Sequence, residues 1–273
     1  MDTQKKYKKL AIISDCIHAY NNEGVACTEV HIFCKQMQEL SKHFEQTVIV
    51  CPFVKHNAAK AYSEYGHQTI SFIPTPAAGG NSIRKKLKLF ATMPAWFKAF
   101  YKAGKISDVV YLRFPNNISI PAWFYYTIIR KKKIITYTGN WEKYAGEPFS
   151  YRMQRWIIKY LHKDPAFVYT KRKNTRANIY KTFSPSYSFN EWEKESAFVY
   201  GKLKVLENDK QWTPVFLSIA RLSEIKNHLY ILKVFKILRD KNFQFRLYIF
   251  GSGSKEIKLK KFIDENNLQD CVC

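Results

Sequence analysis

The sequence predicts an α/β protein, and three observations carry that prediction. Short apolar runs alternate from the N-terminus with stretches of helical period, the pattern of a parallel sheet with crossover helices. The 273 residues are 46% hydrophobic and 16% aromatic, ample for a core, and their 10 Gly and 10 Pro are too few for a low-complexity chain. The length suits one large domain or two smaller ones.

Leu10-Ala11-Ile12-Ile13 reads as a first buried strand. A helix from Thr28 follows, with Val30, Phe33, Cys34, Met37 and Leu40 on one face. Thr47 to Cys51, Thr69 to Ile73, Val109 to Leu112, Ile134 to Tyr137 and Ala166 to Thr170 are further strands, each β-branched or aromatic and bounded by polar or turn residues. Between Lys181 and Trp212 the periodicity fades, which marks a domain boundary and divides the chain into an N-terminal domain over 1–200 and a partial second domain over 201–273. There Val215 to Ile219 is a strand, Asn227 to Arg239 a helix, Phe245 to Phe250 a strand and Lys255 to Asn266 a helix. A third strand is expected where the sequence reads Cys271-Val272-Cys273.

With 45 Lys+Arg against 22 Asp+Glu the formal net charge is +23, which attracts polyanionic partners. No apolar run reaches the ~18 residues of a membrane span, and Leu10 to Ile13 is too short for a signal-peptide core. Six cysteines without a secretion signal read as reduced thiols, and Cys271-Val272-Cys273 has poor spacing for a metal finger, so no metal is expected. The expected location is cytoplasmic.

Two loops carry the chemistry. Phe216 to Asn227 runs from a buried strand into a helix N-terminus, where unpaired N–H groups and the helix dipole favour anions. Arg221 can grip phosphate oxygens as a fork and Lys226 can add a point charge. The same spacing also suits simple pairing of both cations with acids such as Glu224. At the end of the next strand, Gly251-Ser252-Gly253 allows close backbone approach, but it lacks the third glycine of a dinucleotide fingerprint.

Ile83 to Lys105 holds Arg84, Lys85, Lys86, Lys88, Lys98, Lys102 and Lys105 with no acid, interleaved with Phe90, Trp96, Phe97, Phe100 and Tyr101. This pattern fits contact with an anionic membrane surface, centred on Arg84, Lys85, Lys86, Lys88, Trp96 and Phe97. It fits equally a crossover helix pair kinked at Pro94 with its aromatics buried. Nucleic acid is disfavoured as a partner, since no recognition helix, zinc finger or RNP-type pattern is present.

The run Ser218-Ile-Ala-Arg-Leu-Ser-Glu-Ile-Lys-Asn-His-Leu, followed by Phe245-Arg-Leu-Tyr-Ile-Phe-Gly-Ser-Gly-Ser, resembles the donor-binding domain of retaining glycosyltransferases of group 1 (family four). The resemblance implies a GT-B fold of two Rossmann-like domains and transfer of a sugar from a nucleoside-diphosphate sugar to a saccharide or lipid-linked acceptor. It implies retained configuration, a nucleotide-sugar co-substrate and no metal cofactor. By resemblance Arg221 and Lys226 grip the donor diphosphate, Gly251 and Gly253 form a turn beside the nucleotide, and Gly24 stands in the glycine loop after the first strand. Thr138-Gly139-Asn140 occupies the position where many members carry a histidine, so no catalytic residue is transferred. The family's later acidic motif lies beyond the span of this sequence, which by resemblance is a shortened donor domain. The alternative implied is an inactive, basic, peripheral membrane-binding relative.

Overall fold

The computed structural model describes residues 7–57, 62–66, 69–77, 83–170, 176–182, 189–207 and 213–273. They fall into two compact units, Met1–Ser186 and Tyr187–Cys273.

The N-terminal unit runs β1 (Lys9–Ile13), β2 (His18–Tyr20), β3 (Ala26–Thr28), α1 (His31–Ser41), β4 (Gln46–Pro52), β5 (Ser63–Glu64), β6 (Ile70–Thr75), α2 (Ile83–Ile106), β7 (Val109–Phe114), α3 (Ser119–Ile128), β8 (Lys132–Tyr137), α4 (Phe149–Trp156), β9 (Ala166–Tyr169) and β10 (Ile179–Thr182). A π-helical turn, Ile157–Leu161, extends α4. Seven strands form one parallel sheet in the order β10-β9-β8-β7-β1-β4-β6. The apolar character of β1 and β4 follows from cover on both faces. Ala11, Ile13, Val110 and Leu112 pack under Trp96, Phe100, Trp123 and Tyr126 of α2 and α3, whereas Leu10, Ile12 and Val109 pack under Phe33, Cys34 and Met37 of α1. Strand order reverses between β1 and β7, which places a crevice outside their carboxyl ends.

Two expectations are corrected. The first helix begins at His31 instead of Thr28, because residues 18–28 form the antiparallel hairpin of β2 and β3, a departure from βα rhythm that β5 extends to three strands. The pair of helices kinked at Pro94 is a single helix, Ile83–Ile106, held across the proline by burial of Trp96, Ala99, Phe100 and Ala103.

The small sheet seats His18, fully buried among Phe33, Phe53, Tyr65 and Phe72. Its Nδ1 donates to the Cys16 carbonyl at 2.7 Å, and Nε2 accepts from the Tyr65 hydroxyl at 2.9 Å. A carbonyl can only accept, so Nδ1 carries a proton, and in the neutral ring that burial favours Nε2 is left to accept. Burial pushes its pKa from 6.5 down to about 4. Between those values the unfolded chain binds the extra proton, so stability rises with pH across the window and falls by up to about 3 kcal/mol as pH drops through it. His162, held by the Trp123 indole N–H at 3.3 Å and likewise pushed down to about 4, acts in the same sense. Urea unfolding at pH 7 and pH 4.5 checks this, and His18→Phe should flatten part of the difference.

The C-terminal unit runs α5 (Phe189–Glu207), β11 (Val215–Ile219), α6 (His228–Asp240), β12 (Arg246–Phe250) and α7 (Glu256–Glu265). β11 and β12 pair in parallel, and Leu232, Phe235, Phe245, Leu247, Leu259 and Leu268 form the core beneath α6 and α7. The chain at 271–273 lies along β12 as expected of a third strand: Leu247 N–H donates to the Cys271 carbonyl at 2.8 Å, and Cys273 N–H returns to Leu247 at 2.9 Å. The opposite face of this sheet is open, with Val215, Leu217 and Ile219 between 58% and 72% exposed.

Candidate functional site

In the C-terminal unit the carboxyl ends of β11 and β12 are level, Ile219 opposite Phe250, and the two loops that leave them stay hydrogen-bonded. Ala220 N–H donates to Phe250 at 3.1 Å, Leu222 N–H to Ser252 at 2.9 Å and Lys255 N–H back to Leu222 at 3.1 Å. This side-by-side course explains the glycines. A Cβ on Gly251 would stand 2.0 Å from the Ala220 carbonyl oxygen, and one on Gly253 would stand 2.4 Å from that of Leu222. Their want of a side chain is therefore demanded by the neighbouring loop.

After Leu222 the chain makes a 3-10 turn, Glu224–Lys226, then passes through left-handed Asn227 (φ 49°, ψ 41°) into α6. Asparagine tolerates that conformation. Arg221 and Lys226 are exposed on this loop. Glu224, the acid that would neutralise them, is taken instead by Lys255 at the foot of α7, which holds its carboxyl below the ordinary range. Neither Arg221 nor Lys226 forms an ion pair or side-chain hydrogen bond among the described residues. With Lys255 and Lys258 nearby, the loop pair presents an excess of positive charge beside two helix N-termini. His228, the first residue of α6, is buried with its Nδ1 unpartnered.

In the N-terminal unit Gly24 lies in the turn of the β2–β3 hairpin, where Glu23 and Val25 N–H groups donate to the Asn21 side chain at 2.9 and 2.8 Å. Its φ of 78° accounts for the glycine, and the space around it is open. The crevice between β1 and β7 holds two groups that the sequence did not single out as a pair. Asp15 follows β1 and is exposed as a residue, while the atoms crowding its carboxyl push it above the ordinary range by desolvation, offset by a backbone hydrogen bond and by Arg113. Arg113, near the end of β7, donates to Gln36 Oε1 at 3.0 Å and lies 5.0 Å over the Phe33 ring. Beyond β8, Arg155 and Glu147 form a buried, two-pronged ion pair, with Nη2 donating to Oε2 at 2.7 Å. The signal for this crevice was the strand order, which residue spacing alone does not reveal.

Of the basic aromatic segment, Trp96 is 2% exposed and so is corrected from surface patch to core, its face of α2 being the one turned to the sheet. Phe97 is 40% exposed. Arg84, Lys85, Lys86 and Lys88 lie on the first turns of α2, and their side chains are outside the described residues. Among the described residues no group of three His, Cys, Asp or Glu side chains is placed to hold a metal, and no helix is long and apolar enough to cross a membrane.

Residues 204–273 match the family described as glycosyl transferases group 1. With the α/β fold, that match supports a glycosyltransferase enzyme as the class of this chain. A UDP-N-acetylglucosamine 2-epimerase from Rickettsia bellii shares the fold, with a TM-score of 0.51, 16% identity, and coverage of 98% of this chain and 68% of that one. A glycosyltransferase from Rickettsia africae ESF-5 aligns with a TM-score of 0.47, 14% identity and coverage of 98% and 68%. Comparison with curated proteins gave no match.

Proposed function

We propose that this protein transfers a sugar from a nucleoside-diphosphate sugar to a saccharide or lipid-linked acceptor, with configuration retained. The observation that carries this reading is that Arg221 and Lys226, on a strand-to-helix loop whose one acid is already engaged, have no ion-pair partner among the described residues and lie inside the segment that matches the transferase family. As the glycosidic bond breaks, negative charge grows on the diphosphate leaving group, and fixed cations with helix N–H groups stabilise it. An arginine fork suits two phosphate oxygens and a lysine adds reach.

In this reading Gly251 and Gly253 keep the second loop close to Arg221, and Gly24 serves the hairpin beside the N-terminal crevice. Asp15, with its carboxyl held above the ordinary range, is suited to accept a hydrogen bond or proton from an acceptor hydroxyl, and Arg113 to orient it. No metal is required, since the chain's own cations face the leaving group.

Titration calorimetry with nucleoside diphosphates tests the donor half. Micromolar binding that falls with rising salt is the expected result, and no binding at millimolar nucleotide overturns the reading. Asp15→Asn should leave that binding within about twofold, because in this reading Asp15 meets the acceptor hydroxyl and not the nucleotide.

A further inference from the structure

We infer that the outer face of α2 and α3 is a docking surface for an anionic lipid bilayer. Side by side, these helices form one surface. The Phe97 and Tyr125 rings meet at 6.0 Å, Tyr126 donates to the Phe100 carbonyl at 2.9 Å, and Lys131 Nζ donates to the Gly104 carbonyl at 2.9 Å. Gly104 lets the last turns close, since a Cβ there would lie 3.3 Å from Tyr126 Cε1. The outer side of this pair leaves Phe97, Tyr101, Ile128 and Ile129 exposed, Ile128 at 79%. Isolated apolar residues on a surface are ordinary, but a contiguous group marks an interaction site.

Charge selects the occupant. Residues 83–163 contain 17 Lys and Arg against three acids, Asp108, Glu142 and Glu147. Of the acids, Glu147 is buried against Arg155, Asp108 accepts from the Lys8 and Lys9 backbone, and Glu142 accepts from Thr170. Exposed Lys98, Lys102, Lys105 and Arg130 therefore surround the apolar group without an acidic partner among the described residues. The centres of protein interfaces are depleted in lysine, whereas lipid headgroups accept cations around an inserted apolar tip. Ile128, the most exposed member of the group, has no ring face on which a nucleic-acid base could stack, and the Tyr101 ring is already covered by Lys105 Nζ at 4.7 Å, which favours hydrocarbon over single-stranded nucleic acid. This centre lies on the last turns of α2 and the end of α3, away from Trp96, which the core consumes.

The inference does not depend on sugar transfer, so it is tested without nucleotide or acceptor. The full chain is sedimented with unilamellar phosphatidylcholine vesicles, with and without phosphatidylglycerol, at equal ionic strength. Binding is expected only with phosphatidylglycerol. Ile128→Asp should weaken it about tenfold, the value of one buried isoleucine, and Lys102→Glu and Lys105→Glu about fivefold each or more. Unaltered circular dichroism keeps these losses from being read as unfolding. In addition, Ile128→Trp should show a blue-shifted emission on adding the anionic vesicles. Binding unchanged by Ile128→Asp, an emission that does not shift, equal affinity for a single-stranded oligonucleotide, or an Ile128-dependent dimer without vesicle binding would each overturn it.

Discussion

Replacing Arg221 with alanine is expected to weaken nucleoside-diphosphate binding between about tenfold and a hundredfold, the range for hydrogen bonds to a charged group. Where transfer is measurable, the loss of rate should reach at least about a hundredfold, since a contact to charge that develops in the transition state is worth about 2.7–4 kcal/mol. The reason is local. Arg221 makes no ion pair or side-chain hydrogen bond among the described residues, so alanine removes a ligand contact without removing a structural one. Unfolding free energy should therefore stay within about 0.5 kcal/mol of the parent. Arg221→Lys keeps the charge but not the fork, and an intermediate affinity is expected. Glu224→Gln supplies the opposite control. It frees Lys255 and removes a negative charge from the loop, so diphosphate should bind the same or more tightly. An Arg221→Ala protein that binds and turns over like the parent removes the loop from the site.

Gly251→Ala and Gly253→Ala are expected to cost about 4 kcal/mol or more each, the range reached when strain and overpacking coincide. The methyl groups would sit 2.0 and 2.4 Å from carbonyl oxygens of the opposing loop, and both glycines have φ between 150° and 160°, which L-residues avoid. Relief would have to separate the loops and break the Leu222 to Ser252 hydrogen bond. Gly24→Ala is the calibration. It meets nothing within 4 Å but retains a φ of 78°, so about 1–2 kcal/mol is expected. Hydrogen exchange separates the cases, because the glycines of the second loop should release amides of β11 and β12 while Gly24 should affect only the hairpin. Equal and small effects at all three positions would show that the loops are not packed as described.

The strands of the large sheet were legible because burial on both faces writes them as apolar runs, and β1, β4, β7 and β9 fall within a residue or two of where those runs stand. The β2–β3 hairpin was not legible. Residues 14–28 contain no long run, and their structure depends on His18 finding Tyr65 and Phe53 far along the chain. α5 was hidden for a different reason: its apolar residues, Phe189, Trp192, Phe198, Val199 and Tyr200, are largely exposed, so they follow no buried face that periodicity detects. For the loops that leave β11 and β12, the sequence placed Arg221, Lys226 and the glycines on strand-to-helix turns, where the structure has them. It left open whether Glu224 would neutralise the cations, because only the fold brings Lys255 across to claim that carboxylate. Trp96 and Phe97 are neighbours in one basic segment, and only the helix register separates the buried ring from the exposed one.

The open face of β11 bears on how the protein behaves in a tube. Among the described residues β12 is its sole ladder partner, so the strand offers a free backbone margin as well as Val215, Leu217 and Ile219 to any chain it meets. A margin of that kind templates further strands. Concentrated samples should consequently scatter light more as temperature rises, and lysine at Leu217, pointing outward, should quiet them without disturbing the fold.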